Sequence, residues 1–186
     1  MGTAAAPCQV KLIAGIIASS EELFNETGKA MEDNFGPIDY ASRIIRFDFT
    51  KYYERDMGPD LKRRFVSFQK LIDPAGLPDI KLATNKLEEV IARRAKTKVR
   101  PVNIDPGYIA ASKLILASTK DYFHRIYINK GIYAEVTLYY RNGTFTSMDW
   151  TYPDYKTKDY IKIFDEIRDI FMNQIQQKGL SPYHIT

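Results

Sequence analysis

The densest alternation of apolar and polar positions lies between Asp121 and Trp150. Three β-rich runs, Asp121–Ile128, Ile132–Arg141 and Thr144–Trp150, are separated by Asn129-Lys130-Gly131 and Asn142-Gly143. Both separators are of the kind that close β-hairpins. Pairing across these turns sets Ile128 against Ile132, Tyr127 against Tyr133 and Arg125 against Glu135, then Tyr139 against Thr146 and Thr137 against Met148. One face then carries Ile126, Ile128, Ile132, Ala134, Val136 and Leu138, and is expected to be core. The other carries Arg125, Tyr127, Tyr133, Glu135, Thr137 and Tyr139.

The rest of the chain is organised around this meander. Val10 to Ala18 is an apolar run of strand length, bounded by Ser19. Ser19-Ser20-Glu21-Glu22 reads as a capping box, with Ser19 as the cap and Glu22 reaching back to it. The helix behind it shows Leu23, Thr27, Met31 and Phe35 at helical spacing, and Gly36-Pro37 stops it. From Arg43 to Thr50, Ile45, Phe47 and Phe49 alternate with Arg46, Asp48 and Thr50, as in a strand with one polar face. Leu61 to Leu71 fits both periods, and a strand pairing back on 43–53 is the reading favoured. Asp73 to Gly76 is a turn, Ile80 to Ala83 a short strand, and a helix runs from 84 or 85 to Ala95. Val102 to Ile104 is a strand, Asp105-Pro106-Gly107 a turn, and Lys113 to Ser118 a further strand. A last helix spans Thr157 to Lys178, with Ile161, Phe164, Ile167, Phe171 and Ile175 on its buried stripe.

This order predicts an α+β fold with a mostly antiparallel sheet: a ferredoxin-like start, a C-terminal β-meander, and helices packed on one face. A single domain over 10–178 is expected, between tails at 1–9 and 179–186.

Composition narrows the function classes only slightly. Across 186 residues, 45% hydrophobic and 27% charged is a globular balance,. No apolar run approaches the ~20 residues that span a bilayer, and the first residues read neither as a signal peptide nor as a myristoylation site. The one cysteine, Cys8, excludes an intrachain disulfide and suits a reducing cytoplasm,. A net charge of +4 permits an anionic ligand or RNA,.

No P-loop, no Gly-x-Gly-x-x-Gly after a strand and no Gly-x-Ser-x-Gly elbow is present. The candidate site is the polar face of the meander, joined by Arg46, Asp48 and Thr50 if that strand lies in the same sheet. Arg125 and Arg46 would clamp an anion, since guanidinium groups meet phosphate and carboxylate in a bidentate way. Glu135 and Asp48 would orient or activate it. Tyr52, Tyr53, Glu54 and Tyr133 would form a rim, and Asp105 sits in a candidate loop. A cross-strand Arg–Glu pair is also ordinary sheet surface. His124 is a candidate catalyst, although alternation places it on the apolar side, where a satisfied or rim histidine is the plainer reading. His184 lies in the tail. No His, Asp and Glu cluster has metal-ligand spacing; a carboxylate-only magnesium site would need Asp48 and Glu135 together. Two other readings stand beside this one. Lys62, Arg63, Arg64, Arg93, Arg94, Lys96, Lys98 and Arg100 would serve RNA if they gathered on one surface. An exposed apolar strand edge would favour a protein-interaction or homodimeric role.

Three segments together carry a resemblance. They are Phe47 to Glu54 with Met57-Gly58; Asn103-Ile104-Asp105-Pro106-Gly107-Tyr108; and His124 to Leu138 ending in Trp150 to Tyr155. With them the chain resembles an uncharacterised bacterial family catalogued as a domain of unknown function (family 4416), over about Val10 to Ile175. The resemblance brings no established reaction, ligand or cofactor. Members are sometimes labelled GTP-binding, but this sequence lacks the P-loop that would support the label. It does place Asp48, Tyr52, Tyr53, Glu54, Asp105, His124, Arg125 and Glu135 in the family's signature segments. The resulting expectation is a cytoplasmic protein binding an anionic small molecule or nucleotide, with phosphoryl or nucleotide chemistry if it is an enzyme.

Overall fold

Val10 to Ala18 is buried at every position, and the sheet is built outwards from it on both sides. The computed structural model describes residues 4–50, 52–95 and 100–182. Within these, the strands are β1 (Val10–Ala18), β2 (Ile38–Ala41), β3 (Ile45–Arg46), β4 (Lys62–Ile72), β5 (Val102–Ala110), β6 (Lys113–Ser118), β7 (Arg125–Asn129), β8 (Ile132–Arg141) and β9 (Thr144–Ser147). The helices are α1 (Glu21–Phe35), the single turn α2 (Glu54–Met57), α3 (Leu77–Arg94) and α4 (Lys158–Gln177). The strands form one antiparallel sheet in the order β2-β4-β1-β5-β6-β8-β7, with β3 also on β4 and β9 also on β8.

The first half has the strand order of a ferredoxin-like unit, and the meander extends it, so the expected α+β class holds. The expectation of helices on one face is corrected. Alternate β1 residues Leu12, Ala14 and Ile16 pack with Phe24 and Met31 of α1 and Ile91 of α3. Ile13 packs on the opposite side with Phe65, Ile109 and the α4 residues Phe164, Ile167 and Phe171. α4 therefore seals the face that α1 and α3 leave open.

Local corrections follow from packing. The helix cap is Ser20, whose hydroxyl accepts from the Leu23 amide at 3.4 Å, not Ser19. Of the strand expected over Arg43 to Thr50, only Ile45–Arg46 is formed. Phe47 makes one more bond, its amide to the Leu61 carbonyl at 2.8 Å, and then turns into a small core with Ile17, Met57 and Leu61. Leu61 to Leu71 is a strand, but it spends most of its length on β1 and β2 and meets β3 at two positions. Ile80 to Ala83 is helical, because α3 begins at Leu77 with Pro78 in its first turn, where a missing amide hydrogen costs nothing,. In the meander, Arg125 faces Glu135, Tyr127 faces Tyr133 and Tyr139 faces Thr146, as expected. An irregularity after Tyr127 brings Asn129, not Ile128, against Ile132. The expected core face is only partly core: Ile132, Ala134 and Val136 pack with Leu77, and Leu138 is buried, but Ile126 and Ile128 on the outermost strand are exposed.

Asp105-Pro106-Gly107 is not a turn. It lies inside β5, which pairs with β1 from Val102 to Ile109. On its other edge β5 pairs with β6 only from Gly107 to Ala110. The sheet forks at Gly107, where a Cβ would lie 2.1 Å from the Ile115 carbonyl oxygen. Gly107→Ala should therefore cost about 2 kcal/mol or more in chemical denaturation through overpacking against backbone. Gly76→Ala, which meets nothing within 4 Å, should stay within about 0.5 kcal/mol of wild type.

Candidate functional site

Beyond the fork, the edge of β5 that faces away from β1 has no strand partner among the described residues. Side chains of α3 take the partner's place. The Ile104 amide donates to Glu88 Oε1 at 2.6 Å, and Lys81 Nζ donates to the Ile104 carbonyl at 3.0 Å. Lys81 and Glu88 lie seven residues apart, two turns along one helix face. By alternation with Ile104, Pro106 turns its nitrogen to the same open side, where a residue without an amide hydrogen leaves no donor unmet. Glu88 also accepts from Arg100 Nη1 at 3.1 Å. Burial pushes its carboxyl above the usual range, against the amide bond and the nearby cations.

The fork opens a cleft of about 940 Å³. β5 and β4 form one side, the ends of β6 and β8 the other. Phe47, Phe49, Thr50, Tyr52 and Tyr53, with residues 152–155 and α3, complete the walls. Arg63 lies at its floor, with its side chain 3% exposed. Its guanidinium sits over the Phe47 ring at 4.6 Å, and Asp154 is 3.0 Å from Nη1. That contact has ion-pair distance but not hydrogen-bond alignment, and both Nε and Nη1 lack a hydrogen-bond partner. Burial works against the charge on Arg63, but the surrounding phenols with Asp154 and Asp105 more than offset it. Burial also raises the Asp154 carboxyl.

Arg125 is a strut. Nε donates to Glu135 at 2.9 Å, Nη1 to Ser118 Oγ at 3.1 Å and to the Lys120 carbonyl at 3.0 Å, and Nη2 to the Tyr152 hydroxyl. Glu135 is buried and accepts from Thr137 Oγ1 at 2.9 Å as well. His124 Nε2 lies 3.3 Å from the same carboxylate, and its ring stacks on Trp150. Trp150 Nε1 and Thr151 Oγ1 bond the Val136 and Thr137 carbonyls, which fixes the segment presenting Tyr152. At the mouth, Lys120 Nζ donates to the Tyr52 hydroxyl at 2.9 Å and pulls that phenol below its usual range.

The cleft thus gathers Tyr52, Tyr53, Asp105, Arg125 and Glu135 from the sequence candidates. His124 stands behind Glu135 rather than in the lining. Arg46 and Asp48 lie outside, exposed and 3.4 Å from each other, so they do not join the polar face of the meander. Glu54 is exposed on α2, and Tyr133 packs on Tyr127. Sequence reasoning missed Lys81, Glu88, Lys120 and Asp154. It also assigned Arg63 and Arg100 to an RNA surface. The basic stretches are divided: Arg63 is in the cleft, whereas Arg64 lies by Phe24 of α1, Arg93 pairs with Glu89, and Arg94 with Glu26. Lys96, Lys98 and His184 fall outside the described residues.

Among the described residues, no group of three or more His, Cys, Asp and Glu can hold a metal ion, and no helix is long and apolar enough to cross a membrane. Fold and site define an α+β protein with a forked antiparallel sheet and a charged cleft at the fork. The chain belongs to the family described as Domain of unknown function (DUF4416), whose model matches residues 8–171. No curated protein and no solved structure matches it.

Two substitutions test the helix-for-strand replacement. Glu88→Ala removes the acceptor for a buried amide and should cost about 1–3 kcal/mol. Glu88→Gln keeps an acceptor. Because the folded-state carboxyl is raised, the native protein holds that proton more tightly than the unfolded chain. The stability it contributes is present in acid and is lost as pH rises through the folded value. Relative to wild type, Glu88→Gln should gain melting temperature between pH 4 and pH 7; a variant that loses ground over that range would contradict the assignment.

Proposed function

We propose that the cleft binds an anionic small molecule of about nucleotide size. The observation that carries this reading is Arg63: a charged, almost fully buried guanidinium in the cleft wall with two nitrogens that lack hydrogen-bond partners. Buried donors are nearly always satisfied, and Arg63, held by the ion pair with Asp154 but with no aligned hydrogen bond on Nε or Nη1, is the cleft cation whose donors are least used by the chain itself.

Among the described residues, five cations line the cleft, Arg63, Lys81, Arg100, Lys120 and Arg125, and five acids, Glu88, Glu89, Asp105, Glu135 and Asp154. The acids are already engaged: Glu135 by Arg125, Glu88 by Arg100, Asp154 by Arg63, Asp105 by Asn103, and Glu89 by Lys86 and Arg93. Lys120 meets a phenol instead of a carboxylate. Spare donor capacity therefore lies at the floor in Arg63 and at the mouth in Lys120. Tyr52, Tyr53 and Tyr152 offer aromatic surface for a planar ring,. The volume falls within the ~300–1,000 Å³ of small-molecule sites. Arg125, with most of its donors used inside the protein, positions the walls rather than clamping the ligand. The reading is one of binding: Glu135 is occupied by its own neighbours and Asp48 is outside, so the catalytic roles expected for them find no support. A reducing cytoplasm suits the single cysteine, Cys8,.

The test is a thermal-shift series with nucleotides, sugar phosphates and inorganic phosphate on wild type, Lys120→Ala, Arg100→Ala and Arg46→Ala. A ligand at 100 times its Kd should stabilise wild type by about 2.7 kcal/mol. Lys120→Ala should weaken it about tenfold, roughly 1.4 kcal/mol, and Arg100→Ala should weaken it less, by removing a positive charge whose donor is already used by Glu88, while Arg46→Ala leaves it unchanged. No shift with any compound, or a shift untouched by both cleft variants, would overturn the proposal.

A further inference from the structure

β7 ends the sheet, and among the described residues its outer edge has no strand beside it. The side chains there are apolar and exposed: Ile126 is 72% exposed and Tyr127 57%, with Ile128 beside them and Phe123, 80% exposed, just ahead. The strand's one charged residue, Arg125, turns inward to Glu135. The opposite end of the sheet is built differently. β2 has four residues, follows Pro37, and carries Asp39, which pairs with Lys11 and accepts from Ser67. Short edges with charge and proline resist strand addition, whereas an uncharged apolar edge invites it.

We infer that β7 is a homodimer edge, pairing antiparallel with β7 of a second copy about a two-fold axis at Tyr127. In an isologous contact, if one residue faces another, the second must face the first. Centring on Tyr127 sets it against its own copy, Ile126 against Ile128, and Arg125 against Asn129. Apolar meets apolar, and no like charges meet. At the centre of the pairing the two Tyr127 rings meet beside Tyr133, with the exposed Ile126 and Ile128 of each copy flanking them; the irregularity after Tyr127 interrupts the alternation beyond that point. This match is a property of the strand with itself, which is why a second copy is the partner named. Aromatic side chains carry about 150–250 Å² each, and isoleucines somewhat less. At their observed exposures, Tyr122, Phe123, Ile126, Tyr127 and Ile128 together offer on the order of 600 Å², close to the ~800 Å² per partner of a stable interface.

The experiment is light scattering on the whole chain, joined to cross-linking in a Cys8→Ser background. Wild type should have twice the 21.4 kDa chain mass and a melting temperature that rises with protein concentration, and Ile126→Lys/Ile128→Lys should be a monomer that still unfolds cooperatively, at a concentration-independent melting temperature. Tyr127→Cys should form a disulfide dimer on oxidation, because cross-strand partners lie within the ~4.4–6.8 Å Cα range a disulfide bridges. Ile126→Cys alone should not, since its partner is Ile128. A monomeric wild type, a dimer that survives the lysine pair, or a dimer that Tyr127→Cys fails to lock would each overturn the inference. Loss of folding in the lysine variant leaves the cross-linking pattern to decide.

Discussion

The structure depends on how one buried strand satisfies its second edge. β5 has a complete partner in β1, but β6 leaves it at Gly107. A buried amide and carbonyl left bare at Ile104 would each cost about 1–3 kcal/mol. Glu88 and Lys81 supply the missing acceptor and donor from α3. A helix has replaced a strand as hydrogen-bond partner, and the space β6 would have filled becomes the cleft. Glu88 bears the consequence. Its carboxyl is held in a buried position by the Ile104 amide and Arg100, which both donate to it.

The two halves of the sheet meet the cleft from opposite sides. The ferredoxin-like half brings Arg63, Asn103 and Asp105; the meander brings Arg125, Glu135 and the strand end at Ser118. Arg125 joins the meander to the 118–120 segment and to Tyr152, so the mouth is set by one guanidinium with partners on three stretches of chain. α4 closes the face below through the Phe65, Tyr155, Tyr160 and Phe164 rings, which pack around the strand that carries Arg63. A ligand held as proposed, between Arg63 and Lys120, would touch both halves. Its affinity is then tied to how firmly α3 and Arg125 hold them in place.

Much of this was legible in the sequence, and the failures have physical causes. Most of the meander register followed from its two hairpin loops, although Ile128 against Ile132 and Thr137 against Met148 did not form, and α4 followed from an unbroken 3.6-residue stripe. Asp105-Pro106-Gly107 carries every local sign of a turn, yet Pro106 and Gly107 serve an open edge and a close backbone crossing, which no local rule describes. Arg63 was grouped with Lys62 and Arg64 as one basic stretch. Strand alternation instead sends Arg63 into the cleft and Arg64 towards Phe24 on the other face. Ile126 and Ile128 were read as core because alternation tells which face a side chain takes, but not whether anything covers it. Lys81 and Glu88 were hidden because their role belongs to the tertiary fork.

The most direct measurement is an NMR titration that follows the arginine Nε–H resonances as a nucleotide is added. The account predicts that the Arg63 Nε–H signal shifts and gains protection from exchange, because a buried donor acquires an acceptor, while the exposed Arg43 and Arg46 stay unmoved. An Arg63 signal that does not change while surface arginines respond would contradict it.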